Sequence, residues 1–304
     1  MQRIIFFVSF FAHFLIFAQE EALVNHFEVV KKGKAESKPL AFYEGFANNP
    51  TAIKIIERYA ATDDSKLKLE AINAFGAYGV YSTDKQLRSQ AVANLALLGN
   101  SKDNSVSYKA ISMLKRFTPA DFAPETKQLL DAYLRGDYPH RSLLIKIIGF
   151  AKVQQSTQAL EDIALDNSSR NREQWHALVA LTRMGNQRAE ARLMEAVRKM
   201  EVNSDFIYDV VPDLAYTNNE VVYNFLFEII TDQSILCASP NPNVSEKIPC
   251  GYGIAEQIAP RIVNFPVAVD ASGMFLADDY QAAMDAIIDW IKEDKRLQFV
   301  DSKY

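Results

Sequence analysis

Catalytic signatures are what this sequence most lacks. It has no H-E-x-x-H zinc motif, no G-x-S-x-G nucleophile elbow, and no glycine-rich loop leading into G-K-[ST]. Histidine is scarce: outside the N-terminal run only His26, His140 and His176 remain, none with a second ligand at helical or loop spacing. Strand-like alternation is nearly absent, which argues against sheet-based folds. A basic excess is missing as well. The formal net charge is -5, whereas nucleic acid and anionic lipid both call for a cationic face. Beyond the N-terminus no stretch stays apolar for the roughly 20 residues that a bilayer-spanning helix needs. The chain therefore implies no cofactor, no metal and no nucleic-acid partner.

Cysteine is almost lacking too, and the two that occur are informative. Cys237 and Cys250 stand thirteen residues apart among Pro240, Pro242 and Pro249. The alternatives are a disulfide or a pair of free thiols. In an exported chain the spacing favours the bond. Export is the expectation from the N-terminus, where Arg3 precedes the fourteen-residue apolar run Ile4 to Phe17 and the small residue Ala18. A secretory signal over 1–18 has those parts, and the run is short for an anchor, although Ile16 is larger than a cleavage site prefers. An uncleaved anchor is the alternative. Cleavage leaves 304 − 18 = 286 residues, no integral membrane segment, and a location in the periplasm or outside the cell.

What the sequence has in abundance is one helical pattern. It reads Leu67, Lys68, Ala71, Ala74, Phe75, Gly76 and Gly79, then Leu87, Arg88, Ala91, Asn94, Leu95 and Gly99. Looser copies begin at Val106, at His140 and at Glu173, the last with Ala177, Ala180, Leu181 and Gly185. Self-similar amphipathic helices mark arrays in which each unit buries its apolar face against its neighbours. Helices are expected near 50–62, 65–78, 84–98, 104–117, 124–135, 140–152, 155–166, 171–184, 187–200, 204–216 and 219–231. Asn49-Pro50 supplies a cap, Thr83 and Gln86 a capping box, and Gly79 and Gly99 helix ends; Pro212 either kinks or splits its helix. Residues 20–40 read as a mobile lead-in or a first irregular helix.

This signature resembles the second helix of a HEAT repeat, with an aliphatic–basic pair followed by small residues and a glycine. The resemblance covers about 50–230 and implies an antiparallel helical-hairpin array, an α-solenoid. The register starts 67, 87, 106, 140 and 173 differ by 20, 19, 34 and 33 residues, against a repeat period of about 40–47 for HEAT and armadillo units. An irregular helical bundle with alanines in its core is the alternative.

After Asp232 the composition changes. A turn-rich segment, 232–253, carries both cysteines; a short helix near 254–263 and a final one from Asp278 or Asp279 to about Phe299 follow. The expected organisation is a signal at 1–18, a polar lead-in at 19–49, HEAT-like repeats at 50–231, and a disulfide-bearing loop with a C-terminal helical cap at 232–304. The glycines of Gly76 to Gly79 and of Cys250-Gly251-Tyr252-Gly253 read as turn chemistry. Asn167-Ser168-Ser169 and Asn243-Val244-Ser245 fit the N-x-[ST] acceptor pattern. Adjacent Asp278 and Asp279 suit a helix start better than the paired carboxylates of glycoside chemistry. Asp270, Ser272 and Asp278 match no recognised calcium-loop spacing. The residues with most promise for recognition are aromatic: Tyr208, Tyr216, Tyr223 and Tyr252 cluster about the cysteine loop, and most of that cluster is expected in the core. The function expected is a non-enzymatic helical scaffold that binds a protein partner. Its alternative is a glycan-active envelope enzyme with a carboxylate pair not located in the sequence.

Overall fold

The computed structural model describes residues 20–34, 37–165, 171–238, 247–270, 274–277, 279–293, 296–301 and 304. The expected signal peptide and both N-x-[ST] asparagines, Asn167 and Asn243, lie outside the described residues, as do Ser272 and Asp278. The chain is all-α: among the described residues there are many packed helices and a single two-stranded hairpin. It divides into two compact units, the first running to Ile147 and the second from Ile148.

The first unit opens with α1 at residues 20–31. The lead-in is thus an ordinary helix, because Leu23, His26, Phe27 and Val30 recur at i, i+3, i+4 and i+7 and all four are buried. After a 3₁₀ segment at Leu40–Phe46 come α2 (Pro50–Ala60), α3 (Ser65–Tyr81), α4 (Lys85–Leu98), α5 (Asn104–Met113), α6 (Pro124–Arg135) and the start of α7 (Arg141–Phe150). Their starts share one device. Asn49, Asp64, Asp84 and Asp103 each accept hydrogen bonds from the backbone N–H groups two and three residues on, satisfying donors that the first turn leaves open. The capping box assigned to Thr83 and Gln86 is not formed. Asp84 caps α4 instead, while the Thr83 N–H (2.9 Å) and hydroxyl (3.3 Å) both reach Asn48 Oδ1.

Of the glycines placed at helix ends by the sequence, Gly99 and Gly185 stand there, whereas Gly79 is a packing spacer inside its helix. α3 runs past Gly79 to Tyr81, and a Cβ on Gly79 would stand 2.8 Å from the Arg116 carbonyl oxygen. Gly99 caps the end of α4 as expected, although with a right-handed φ of -57°. Gly185 alone in the repeated pattern is left-handed, at φ 86° after α9, the conformation a glycine adopts at least cost. The alanines Ala71, Ala74, Ala177 and Ala180 are all fully buried. In the second unit, a Cβ on Gly149 would come within 2.6 Å of the Ala180 Cβ, so α7 and α9 meet through their small residues.

The second unit continues with α8 (Thr157–Leu165), α9 (Asn171–Arg183), α10 (Gln187–Val197), a π-turn at Phe206–Val210 leading directly into α11 (Val211–Tyr216), and α12 (Glu220–Thr231). A hairpin of β1 (Leu236–Ala238) and β2 (Lys247–Pro249) follows, with Cys237 opposite Ile248, then α13 (Gly251–Ile258) and α14 (Tyr280–Lys292). α14 stops short of the expected Phe299. That residue instead bridges Ile262, between Val263 N–H to Gln298 C=O (2.8 Å) and Val300 N–H to Arg261 C=O (2.8 Å). The Phe299 ring meets Tyr223 edge-on at 4.7 Å. Burial against that tyrosine thus takes the place of another helical turn. Within each unit the main helix contacts join neighbours and next-but-one neighbours in sequence: α2 with α3 and α4 and α3 with α5 in the first, α9 with α8, α10 and α11 and α12 with α10, α13 and α14 in the second.

Candidate functional site

The cysteines are bonded to each other, Cys237 to Cys250, and both are buried. With the β1–β2 pairing and the Cys250 N–H donated to the Ile235 carbonyl (2.9 Å), the bond fixes the base of the hairpin. Beside it lies a cleft of about 670 Å³. The hairpin forms one wall with Ala238, Ile248 and Pro249; Ile207 and Tyr208 come from the π-turn, Tyr252 and Glu256 from α13, Met274 from the segment before α14 and Tyr280 from its first residue.

Each aromatic is placed for a traceable reason. Pro212 has no N–H and forces the preceding turn to widen. Val211 N–H reaches back to the Phe206 carbonyl in an i→i+5 bond. The Ile207 carbonyl is thereby deprived of both helical donors, Val211 and Pro212. Gln257 Nε2 donates to it across from α13 at 2.6 Å. This π-turn, a feature frequent at functional sites, carries Tyr208 outward, where it is 61% exposed. Pro212 therefore neither simply kinks nor splits its helix. We expect Gln257→Leu to destabilise the second unit by about 1–3 kcal/mol, since it leaves a desolvated carbonyl without a donor. Urea unfolding of the variant checks this, and wild-type stability would mean that the carbonyl finds water.

On α13, Tyr252 and Glu256 stand four residues apart and share one face. Gly251 and Gly253 lie inside this helix rather than in a turn. Added Cβ atoms there would meet the Ile230 backbone at 3.0 Å and Ile207 Cγ2 at 2.8 Å, so close packing demands both glycines. Tyr252 donates its hydroxyl to Gln281 Oε1 (3.1 Å), and its ring lies 6.4 Å from that of Tyr280. Asp279 caps α14 through Gln281 N–H (2.9 Å) and Ala282 N–H (3.1 Å), a structural use of that acid. Desolvation first, then the charges of Asp285 and Asp279, pushes the Tyr252 hydroxyl up. Glu256 is likewise pushed up by burial, against a weaker opposing hydrogen bond from the Phe275 backbone N–H.

The four tyrosines proposed for recognition part company here. Tyr208 and Tyr252 line the cleft. Tyr216 and Tyr223 are buried core residues, and their surface role is corrected accordingly. Tyr216 stacks beneath the Arg183 guanidinium, 4.6 Å from its ring centroid, and Tyr223 donates to the Ala215 carbonyl at 2.9 Å. Tyr216 in α11 and Tyr223 in α12 are turned into the core, whereas Tyr208 is swung out by the π-turn. Tyr280, Met274 and Glu256 were not anticipated. The only signal for Glu256 is its place on a short helix between the apolar residues Ile254, Ala255 and Ile258.

The histidines have structural surroundings. His26 Nε2 lies 2.7 Å from Glu70 Oε1, His176 Nε2 lies 3.4 Å from Asp213 Oδ2, and His140 Nε2 lies 3.2 Å from the Asn104 carbonyl. Among the described residues no three His, Cys, Asp or Glu side chains converge on a point that could hold a metal ion. No protein-family profile matches the chain, and no curated protein sequence matches it.

Proposed function

We propose that this chain is an exported, HEAT-like helical-repeat scaffold that binds a protein partner through the cleft beside its disulfide. One observation carries the reading: Tyr208, Tyr252, Tyr280 and Met274 border a single concavity whose wall is fixed covalently. Exposed aromatics on a rigid platform are the usual anchors of protein interfaces, because they bury large areas at little conformational cost. The repeat assignment is supported by the alanine-lined helix contacts and by packing between sequence neighbours, as expected of arrays with serial cores. On this reading 50–231 is the array and 232–304 closes one end of its core. Export is supported by the disulfide, and no described helix is long and apolar enough to cross a membrane. Periplasm and extracellular space fit equally.

The competing reading, a glycan-active enzyme, requires two converging carboxylates about 5–9 Å apart. Among the described residues lining the cleft there is one, Glu256. That favours binding over hydrolysis. Affinity capture from the native envelope, followed by mass spectrometry, is the test. The wild-type chain should retain a defined partner that the double variant Tyr208→Ala, Tyr252→Ala loses by tenfold or more, about 1.4 kcal/mol or above. Equal recovery by both proteins would overturn the assignment of the cleft.

A further inference from the structure

The cleft has a charge as well as a shape. Glu256 sits on its wall, half-buried, on the same helical face as Tyr252. Its acceptor capacity is barely used: the Phe275 N–H is its one described donor, and no cation lies within ion-pair distance among the described residues. Lys247, the sole basic residue among the described residues along the lining, is exposed and makes no ion pair with it. A carboxylate kept partly out of water without a counter-ion is an unfavourable arrangement in isolation. Burial accordingly raises its proton affinity. The surroundings add negative potential, since Asp279 and Asp285 both act on Tyr252. Tyrosine rings stand along the cleft: Tyr208 and Tyr280 are exposed, and Tyr280 lies 6.4 Å from both Tyr252 and Phe275. Aromatic faces attract cations through their quadrupoles. One acid, three tyrosine rings and a methionine thus form a setting suited to a positive group carried on an apolar segment.

We propose that the cleft takes a lysine or arginine side chain of the partner protein, paired with Glu256 and framed by Tyr208, Tyr252 and Tyr280, with apolar flanking residues of the same segment against Met274 and Ile248. This rests on the reading of the cleft as a protein-docking site and adds the chemistry of the docked residue. Arginine fits better than lysine, because a planar guanidinium can stack on tyrosine while donating to a carboxylate.

The experiment uses the full-length, unreduced chain with ¹³C-methyl methionine, whose Met274 signal reports on the cleft. Three acetylated and amidated pentapeptides are titrated at pH 7: Gly-Leu-Arg-Leu-Gly, and the same sequence with citrulline or with glutamate at its centre. Citrulline keeps the shape of arginine and removes its charge. The arginine peptide should shift Met274 and bind about tenfold more tightly than the citrulline peptide, the size of one charge-assisted hydrogen bond. The glutamate peptide should be weakest. In Glu256→Gln the arginine peptide should fall to the affinity of the citrulline peptide. Equal binding of arginine and citrulline peptides to the wild type would overturn the cation and leave an apolar docking cleft in place. Tighter binding of the glutamate peptide, or no Met274 shift with any peptide, would overturn it as well. Failure of the docking reading itself would show separately, in the partner capture.

Discussion

Glu70→Ala should be among the most destabilising single substitutions in the first unit, at about 3–5 kcal/mol, the usual loss when one partner of a buried charged network is deleted. Glu70 lies on the buried face of α3 and is 1% exposed. Its carboxylate is nevertheless well supplied. Oε1 accepts from Tyr43 Oη (2.5 Å) and the Lys38 N–H (2.9 Å) and faces His26 Nε2 (2.7 Å); Oε2 accepts from Ser37 Oγ (2.6 Å). These donors belong to α1 and to the segment that follows it, so one side chain fastens the N-terminal part of the unit onto α3. Alanine would leave the buried Tyr43 and His26 with only each other (3.2 Å) in place of the carboxylate, and would release the exposed Ser37 and Lys38 from α3. Hydrogen exchange should then show residues 20–46 losing protection before α3 and α4 do. Glu70→Gln, which keeps the shape, should cost less.

The same residue predicts a pH dependence. Burial acts to raise the Glu70 pKa, but the bonds from Ser37, Tyr43, Lys38 N–H and His26 outweigh it and hold the carboxyl below its ordinary range. A carboxyl lowered in the folded state binds fewer protons there than in the unfolded chain. Its contribution is complete above the unfolded value of about 4.3 and disappears as pH falls through the lower native value. Urea midpoints should therefore drop more steeply below pH 4.3 or so in the wild type than in Glu70→Gln. Parallel pH profiles would mean that the network contributes through shape alone.

Opening the disulfide should cost the C-terminal part of the second unit about 3 kcal/mol, the chain-entropy value for a loop of about 15 residues. Cys237 and Cys250 are separated by 13 in sequence and close over a hairpin whose strands are three residues each. Such a hairpin is at best marginally stable in isolation. With both cysteines changed to serine, β1 and β2 should lose exchange protection and the cleft its wall. The helices α8 to α12 should stay protected, because helix arrays couple mainly to nearest neighbours. In the unreduced protein neither cysteine should react with a thiol reagent. Retained protection in the hairpin after reduction would place its stability in packing against its neighbours, not in the bond.

The sequence made the helices legible and the surface much less so. Asn49-Pro50 and Pro124 fixed their helix starts because capping and proline act locally, and α2 and α6 begin at those prolines. The buried alanines were readable from spacing. Glycine misled: Gly79, Gly251 and Gly253 look like turn residues, yet they are required by backbones that approach closely, a tertiary fact with no local mark. The cleft depends on a longer chain of causes. Pro212 widens one turn, Gln257 satisfies the carbonyl that this frees, and Tyr208 is turned outward. No periodicity could separate Tyr208 from Tyr216 beforehand. Glu70 does leave a local mark, an acid three residues beyond Leu67 on an apolar stripe.

The central claim is that a partner protein docks in the tyrosine-lined cleft beside the disulfide. It is tested most directly by photo-crosslinking in the native envelope. Benzoylphenylalanine would be placed singly at Tyr208, Tyr252 and Tyr280, and at Leu97 and Tyr108, which are exposed residues of the first unit. One and the same protein should crosslink from all three cleft positions and from neither of the others. Crosslinking from Leu97 or Tyr108 as readily as from the cleft, or none from the three cleft positions, would contradict the account.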